Sequence, residues 1–175
     1  NTGHVDGEIA GGLAGSISAA RKSINDGSVK GALYAGGIGG VCSNYIVTSI
    51  NKGSLEGGNV GGICGYSTAF IITSLSYTEK SNGLTTGGIV AINKGKIAGG
   101  FFDATKQPGI QPIAKDSANT INWEMQGLPT KDMQTIEFAG KLNDIEINRN
   151  AIANANFDAL YTRSRLWTTT GSYPF

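Results

Sequence analysis

The sequence predicts an all-β chain wound as a parallel β-helix, or solenoid, of about four coils of 25–26 residues, with a small α+β segment at its C-terminal end. Three observations predict it. Glycine pairs recur at Gly11-Gly12, Gly36-Gly37, Gly61-Gly62 and Gly87-Gly88, each followed by an aliphatic residue, Leu13, Ile38, Ile63 or Ile89. A nine-residue phrase repeats in the same phase, SINDGSVKG from Ser23 and SINKGSLEG from Ser49. Nothing inside the period has helical spacing, so each repeat reads as one turn of short strands and corners that buries its apolar face only by stacking on the next.

Taken in order, the corners come first. Asn25-Asp26-Gly27 and Asn51-Lys52-Gly53 have tight-turn chemistry, because Gly takes positive φ at low cost and Asn tolerates it. The glycine pairs fit either a sharp bend or close backbone packing, and the sequence leaves both open. Between corners lie Tyr45-Ile46-Val47-Thr48 and Phe70-Ile71-Ile72-Thr73, offset by 25 residues, which predicts like-on-like ladders with Tyr45 beside Phe70 and Ile46 beside Ile71. Charges follow the register: Asp26 falls one coil from Lys52 and Lys30 one coil from Glu56. Cys42 and Cys64 do not superimpose, mapping onto Ser67 and Gly39; this favours two small buried apolar residues over a disulfide and leaves the pairing open.

The pattern stops after Phe101-Phe102-Asp103, so residues 1–103 are taken as the solenoid and 104–175 as a capping region. Residues 104–129 hold Pro108, Pro112 and Pro129, which suits a connecting segment or irregular hairpin, with one short apolar strand at Trp123 and Met125. A helix is predicted over about 130–143, with Thr130 as N-cap and Asp132 in the first turn. Its apolar face is Met133, Ile136, Ala139 and Leu142, broadened by Phe138, and Asn143-Asp144 ends it. Residues 145–162 read as loop or weak helix, and about 165–175 as a closing hairpin or strand. Covering an open solenoid end is a natural role for this region. The N-terminal end shows no such cover, which points to upstream sequence or a partner.

Composition narrows the function classes. Gly makes up 27 of 175 residues, against only 4 Pro, which fits neither collagen nor a Pro/Gly-rich disordered chain. The 14 basic and 13 acidic residues leave a net charge of +1, with no field to draw nucleic acid or an acidic membrane. No apolar run reaches the ~20 residues of a membrane span. The N-terminus lacks the pattern of a signal peptide, which fits a processed chain.

The search for chemistry yields no catalytic, cofactor-binding or metal-ligating residues. His4 is the sole histidine, so a two-His zinc site cannot form, and a Ser-His-Asp or Cys-His device would have to use His4. The glycine-rich stretch GGIGGVCS at 36–43 recurs as a repeat element with no helix after it and is read as structural. Lyases and hydrolases built on β-helices need clustered carboxylates, and the charges here are explained by ladders of alternating sign. Tyr34, Tyr66 and Tyr77 are the candidates for stacking on a sugar, although strand tyrosines more often serve packing.

The phrases IAGGLAG, VGGICG and TGGIVAINKGKIAGGFFD resemble the GLUG-motif repeats of bacterial surface proteins, and the tail of GLPTKDM, FAGKLN and LWTTTGSYPF resembles the segment that often follows them. The chain departs from the pattern at Val90-Ala91, in the decayed phrase from Ser74, and in lacking a tryptophan within 145–162. The resemblance implies a right-handed parallel β-helix on a secreted or surface-anchored, adhesin-like protein of Bacteroides-type bacteria. It implies no catalytic residues and no cofactor. The expected function is a non-catalytic extracellular binding or structural module that presents a rigid face to a host protein, a glycan or neighbouring subunits, with other parts of its own larger polypeptide as a further candidate partner. The alternatives are a carbohydrate-active β-helix and a passive spacer of a larger surface protein.

Overall fold

A computed structural model describes residues 1–118, 123–153, 167–168 and 174. The chain winds as a parallel solenoid whose strands stack in three columns. The first column is β1 (His4–Gly11), β4 (Ser28–Gly36), β7 (Leu55–Gly61) and β10 (Ser81–Gly87). The second is β2 (Ala14–Arg21), β5 (Gly39–Val47), β8 (Cys64–Ser67), β11 (Val90–Asn93) and β13 (Ile113–Asp116). The third is β3 (Ile24–Asn25), β6 (Ile50–Asn51), β9 (Phe70–Ser76), β12 (Lys96–Asp103) and β14 (Trp123–Leu128), with the C-terminal half of β5 pairing β9.

The predicted register holds. Tyr45 lies beside Phe70, Ile46 beside Ile71 and Val47 beside Ile72. The aliphatic residues after the glycine pairs form one hydrogen-bonded ladder, with the Leu13 amide donating to Ile38, Ile38 to Ile63, Ile63 to Ile89 and Ile89 to Pro112 at 2.8–3.0 Å. Ile38, Ile63 and Ile89 are fully buried, whereas Leu13, on the outermost rung, is 45% exposed.

The ladder continues one rung beyond expectation. Residues 113–128 supply β13 and β14, which make a fifth winding in the second and third columns instead of an irregular hairpin. Pro112 is accommodated because it stands on the last rung among the described residues, where its carbonyl accepts from Ile89 and its missing N–H breaks no described ladder bond.

The glycine pairs serve close packing. Their φ values are not positive, and a Cβ on Gly37 would collide with the Asn51 side chain and the Gly62 carbonyl. The left-handed corner lies elsewhere, at Lys22, Thr48, Thr73, Gly99 and Glu124, spaced 25 or 26 residues apart. Lys22 and Thr48 stand just before β3 and β6, and Thr73 and Gly99 fall inside β9 and β12. Gly27 and Gly53 do not take positive φ, contrary to the turn expectation. Their turns are held by the asparagine two residues earlier: Asn51 Oδ1 accepts from the Gly53 amide and its Nδ2 donates to the Gly53 carbonyl, both at 3.2 Å. Asn25 with Gly27 and Asn93 with Gly95 repeat the arrangement. The asparagines also stack, exposed Asn1 donating to buried Asn25 at 2.9 Å and Asn25 to buried Asn51 at 2.8 Å.

The C-terminal helix differs from expectation in three ways. It comes in two pieces, α1 (Thr130–Met133) and α2 (Ile136–Ala153), so Asn143-Asp144 does not end it. Thr130 is not the cap: Pro129 holds that place, and the Thr130 hydroxyl donates to the buried Asp103 carboxylate at 2.7 Å. Ile136 is 75% exposed, because the break at Gln134-Thr135 shifts the helical face to Phe138, Ala139, Leu142 and Ile145. That face packs with Ile50, Leu75 and Phe101 on the flank of the solenoid, Phe101 meeting Phe138 edge-on at 5.2 Å. Ile24, one rung before Ile50, is 44% exposed. Asn143 binds the Trp167 backbone through both side-chain atoms at 3.0 Å, and Trp167 is buried without being in a strand. Of the remainder of the expected closing strand, Thr168 and Pro174 are in no strand and the other positions lie outside the described residues.

Cys42 and Cys64 form a disulfide, which corrects the reading of two unpaired residues. Cys64 does stand beside Gly39 and Cys42 beside Ser67, as the register requires. Gly39 carries no side chain, so the Cys42 sulfur reaches across its place; a Cβ there would lie 2.8 Å from that sulfur. The Cα atoms are 6.5 Å apart, within the usual span of a disulfide.

Candidate functional site

Two surfaces of the solenoid gather side chains able to meet a ligand, and they lie at opposite ends of the first-column strands. The first is aromatic. Tyr34 is near the end of β4 and Tyr66 in β8, and the winding brings their ring centroids to 5.6 Å with the planes tilted by 50°. Gly65 makes this approach feasible, since a Cβ there would meet the Tyr34 Cβ at 3.0 Å. Both rings are half-buried. Ile9 and Asn59 flank Tyr34 on neighbouring strands, and Val41 and Ile92 flank Tyr66. The Lys94 ammonium sits 5.7 Å from the Tyr66 ring. Together they form a shallow patch, mostly apolar, with a cation and an amide at its edges.

Tyr77, the third candidate, does not join them. It is 2% exposed and packs in the cluster made by Leu75, Phe101 and Met133. Its fate is the packing role that strand tyrosines more often have, and Met133, which packs in the same cluster, comes more than fifty residues later.

The second surface was not singled out from the sequence as a site. An open groove of about 600 Å³ runs along the corner where Asn25-Asp26-Gly27 stacks on Asn51-Lys52-Gly53. His4 and Ser28 line it on successive strands, with Ser54 just before the next, and Glu79 and Lys106 line it as well. The charges come in pairs of opposite sign: Lys52 lies 3.6 Å from Asp26, and Lys106 lies 3.2 Å from Glu79. The charge ladder noted in the sequence was the one signal that pointed here. Just beyond, Lys30 pairs with Glu56 at 3.1 Å; the hydrogen bond and charge of Glu56, and then Asp6 on the preceding rung, hold the Lys30 ammonium above its ordinary pKa.

His4 Nδ1 lies 2.8 Å from Ser28 Oγ within this groove. Such a contact resembles two members of a hydrolytic triad, yet among the described residues no carboxylate is hydrogen-bonded to the His4 ring to orient it. No group of three His, Cys, Asp or Glu able to hold a metal occurs among the described residues. No described helix is long and apolar enough to cross a membrane.

No family model, curated protein or solved structure matches the chain. What the surfaces can do chemically is therefore argued from their own residues.

Proposed function

We propose that the chain is a non-catalytic binding module of an extracellular, adhesin-like protein, and that the Tyr34–Tyr66 patch is the face it presents to a glycan or host protein. The observation that carries this reading is the aromatic pair itself: two half-exposed tyrosines, far apart in sequence, side by side on inner strands of two stacked columns with Lys94 and Asn59 beside them. Tyrosine offers a large contact area with little side-chain entropy to lose, plus a hydroxyl for orientation. The weak net charge fits a ligand held by contact and hydrogen bonds more than by long-range attraction.

Two further features support an extracellular setting. Both cysteines are consumed in one buried disulfide, and such bonds persist in oxidising compartments. The Gly-Gly-aliphatic and Asn-x-Gly phrases resemble GLUG-motif repeats, which accompany bacterial surface proteins.

The test is a binding screen of the intact chain against arrayed glycans and extracellular-matrix proteins, repeated with Tyr34→Ala and Tyr66→Ala. On this reading at least one ligand is retained, and each substitution weakens it by about tenfold or more, corresponding to about 1.4 kcal/mol. Uniformly blank arrays, or a ligand indifferent to both substitutions, would remove the tyrosine patch from the account.

A further inference from the structure

We infer that the corner groove is a second binding site, independent of the tyrosine patch, and that it accepts a neutral oligosaccharide lying along the solenoid axis.

The shape comes first. At about 600 Å³ the groove falls within the usual size of small-molecule sites. It is also built in advance. Its floor is the stacked turns at Gly27 and Gly53, where a Cβ would strike the backbone of the preceding winding, and where the Asn25 and Asn51 side chains pin the amide and the carbonyl of each turn. A floor fixed before binding loses little freedom when a ligand arrives.

The chemistry then narrows the occupant. Each charge in the groove already faces its opposite, Asp26 with Lys52 and Glu79 with Lys106. A charged ligand would have to displace one partner to be matched by the other. A hydroxyl has no such conflict, because it donates to a carboxylate and accepts from an ammonium at the same time. The Asp26–Lys52 separation of 3.6 Å is longer than a direct hydrogen bond, and both side chains are about half exposed, so an oxygen can bridge the pair.

Repetition sets the direction. His4 and Ser28 stand opposite each other on adjacent strands, and Ser54 stands just before the next one, with its carbonyl accepting from the Val29 amide, which places a hydrogen-bonding group about every 4.8 Å along the axis. A linear chain of hydroxyl-bearing rings is the ligand class whose own repeat is polar, neutral and extended. The Tyr77 ring is buried beneath, so stacking contributes nothing here and the affinity is expected to be modest.

The experiment is an amide NMR titration of the intact protein with neutral gluco-, xylo-, manno- and galacto-hexasaccharides and, separately, a galacturonate hexasaccharide. The expected result is saturable shifts of the Gly27, Ser28, Gly53 and Ser54 amides with at least one neutral hexasaccharide. Affinity should fall tenfold or more in Asp26→Asn and in Lys52→Met, with both spectra otherwise unchanged so that the fold is accounted for. Four outcomes would overturn the inference: no shift with any neutral sugar, tighter binding of the galacturonate, unchanged affinity in both variants, or shifts confined to Tyr34, Tyr66 and their neighbours. The last would leave the proposed tyrosine patch standing and remove only the groove.

Discussion

Asn51→Ala is the substitution whose cost can be worked most fully from the structure. Asn51 is fully buried and its side chain makes three hydrogen bonds, accepting from Asn25 Nδ2 at 2.8 Å and from the Gly53 amide at 3.2 Å, and donating to the Gly53 carbonyl at 3.2 Å. Alanine removes all three. The Gly53 amide keeps a second acceptor, the Asn25 carbonyl, and Asn25 Nδ2 keeps the Gly27 carbonyl, so two of the three partners are not stranded. At about 1 kcal/mol for each lost bond, the expected destabilisation is about 3 kcal/mol. Urea unfolding with the disulfide intact measures it. A double-mutant cycle with Asn25→Ala isolates the one bond between the two side chains, with an expected coupling of about 1 kcal/mol. If Asn51→Ala cost less than about 1 kcal/mol, in the range of an ordinary surface substitution, the buried asparagine stack would not be a structural element of this fold.

Other consequences follow from single features. Thr48 combines a left-handed backbone with a buried hydroxyl that has no hydrogen-bond partner among the described residues, so Thr48→Gly should stabilise the protein by about 1 kcal/mol in urea titration; a loss of similar size would contradict this. The disulfide closes a loop between cysteines 22 residues apart, and the Cys42→Ala/Cys64→Ala double variant should lose about 3 kcal/mol by the same assay, with reductant then affecting the parent but not the variant. Glu56 and then Asp6 raise the Lys30 pKa above 10.5, so their stabilisation of charged Lys30 is fully present below 10.5 and is lost as pH rises through the raised folded value. Nitrogen-detected NMR of the lysine side chains should therefore find Lys30 titrating above 10.5, and Glu56→Gln should bring it down.

The stacking was legible because the sequence states it four times over. Every Gly-Gly-aliphatic phrase marks one place in the coil, and the charge pairs Asp26–Lys52 and Lys30–Glu56 could be assigned from spacing alone. The fifth winding was hidden because Gln111-Pro112 stands where the preceding winding carries Gly88-Ile89, and the last described rung tolerates what an inner rung does not. The same periodicity misdirected the cysteine reading: it compares equivalent positions, whereas the disulfide crosses diagonally over the vacant side of Gly39. Left-handed corners fell on Lys22, Thr48, Thr73, Gly99 and Glu124 instead of Gly27 and Gly53, since the Asn-x-Gly turns are secured by side-chain hydrogen bonds and need no positive φ. At the C-terminal end, Asn143 looked like a helix stop but is used to hold the Trp167 backbone. Of the three tyrosines proposed as contacts, the winding brought Tyr34 and Tyr66 together and the helix buried Tyr77; no local pattern distinguishes these fates.

The claim beneath all of this is that residues one period apart are hydrogen-bonded neighbours in successive parallel windings. Scalar couplings measured through hydrogen bonds by NMR address it directly. The account predicts couplings from the Ile38 amide nitrogen to the Ile63 carbonyl carbon and from Ile63 to Ile89. Couplings that instead joined these amides to carbonyls in an antiparallel register would contradict it.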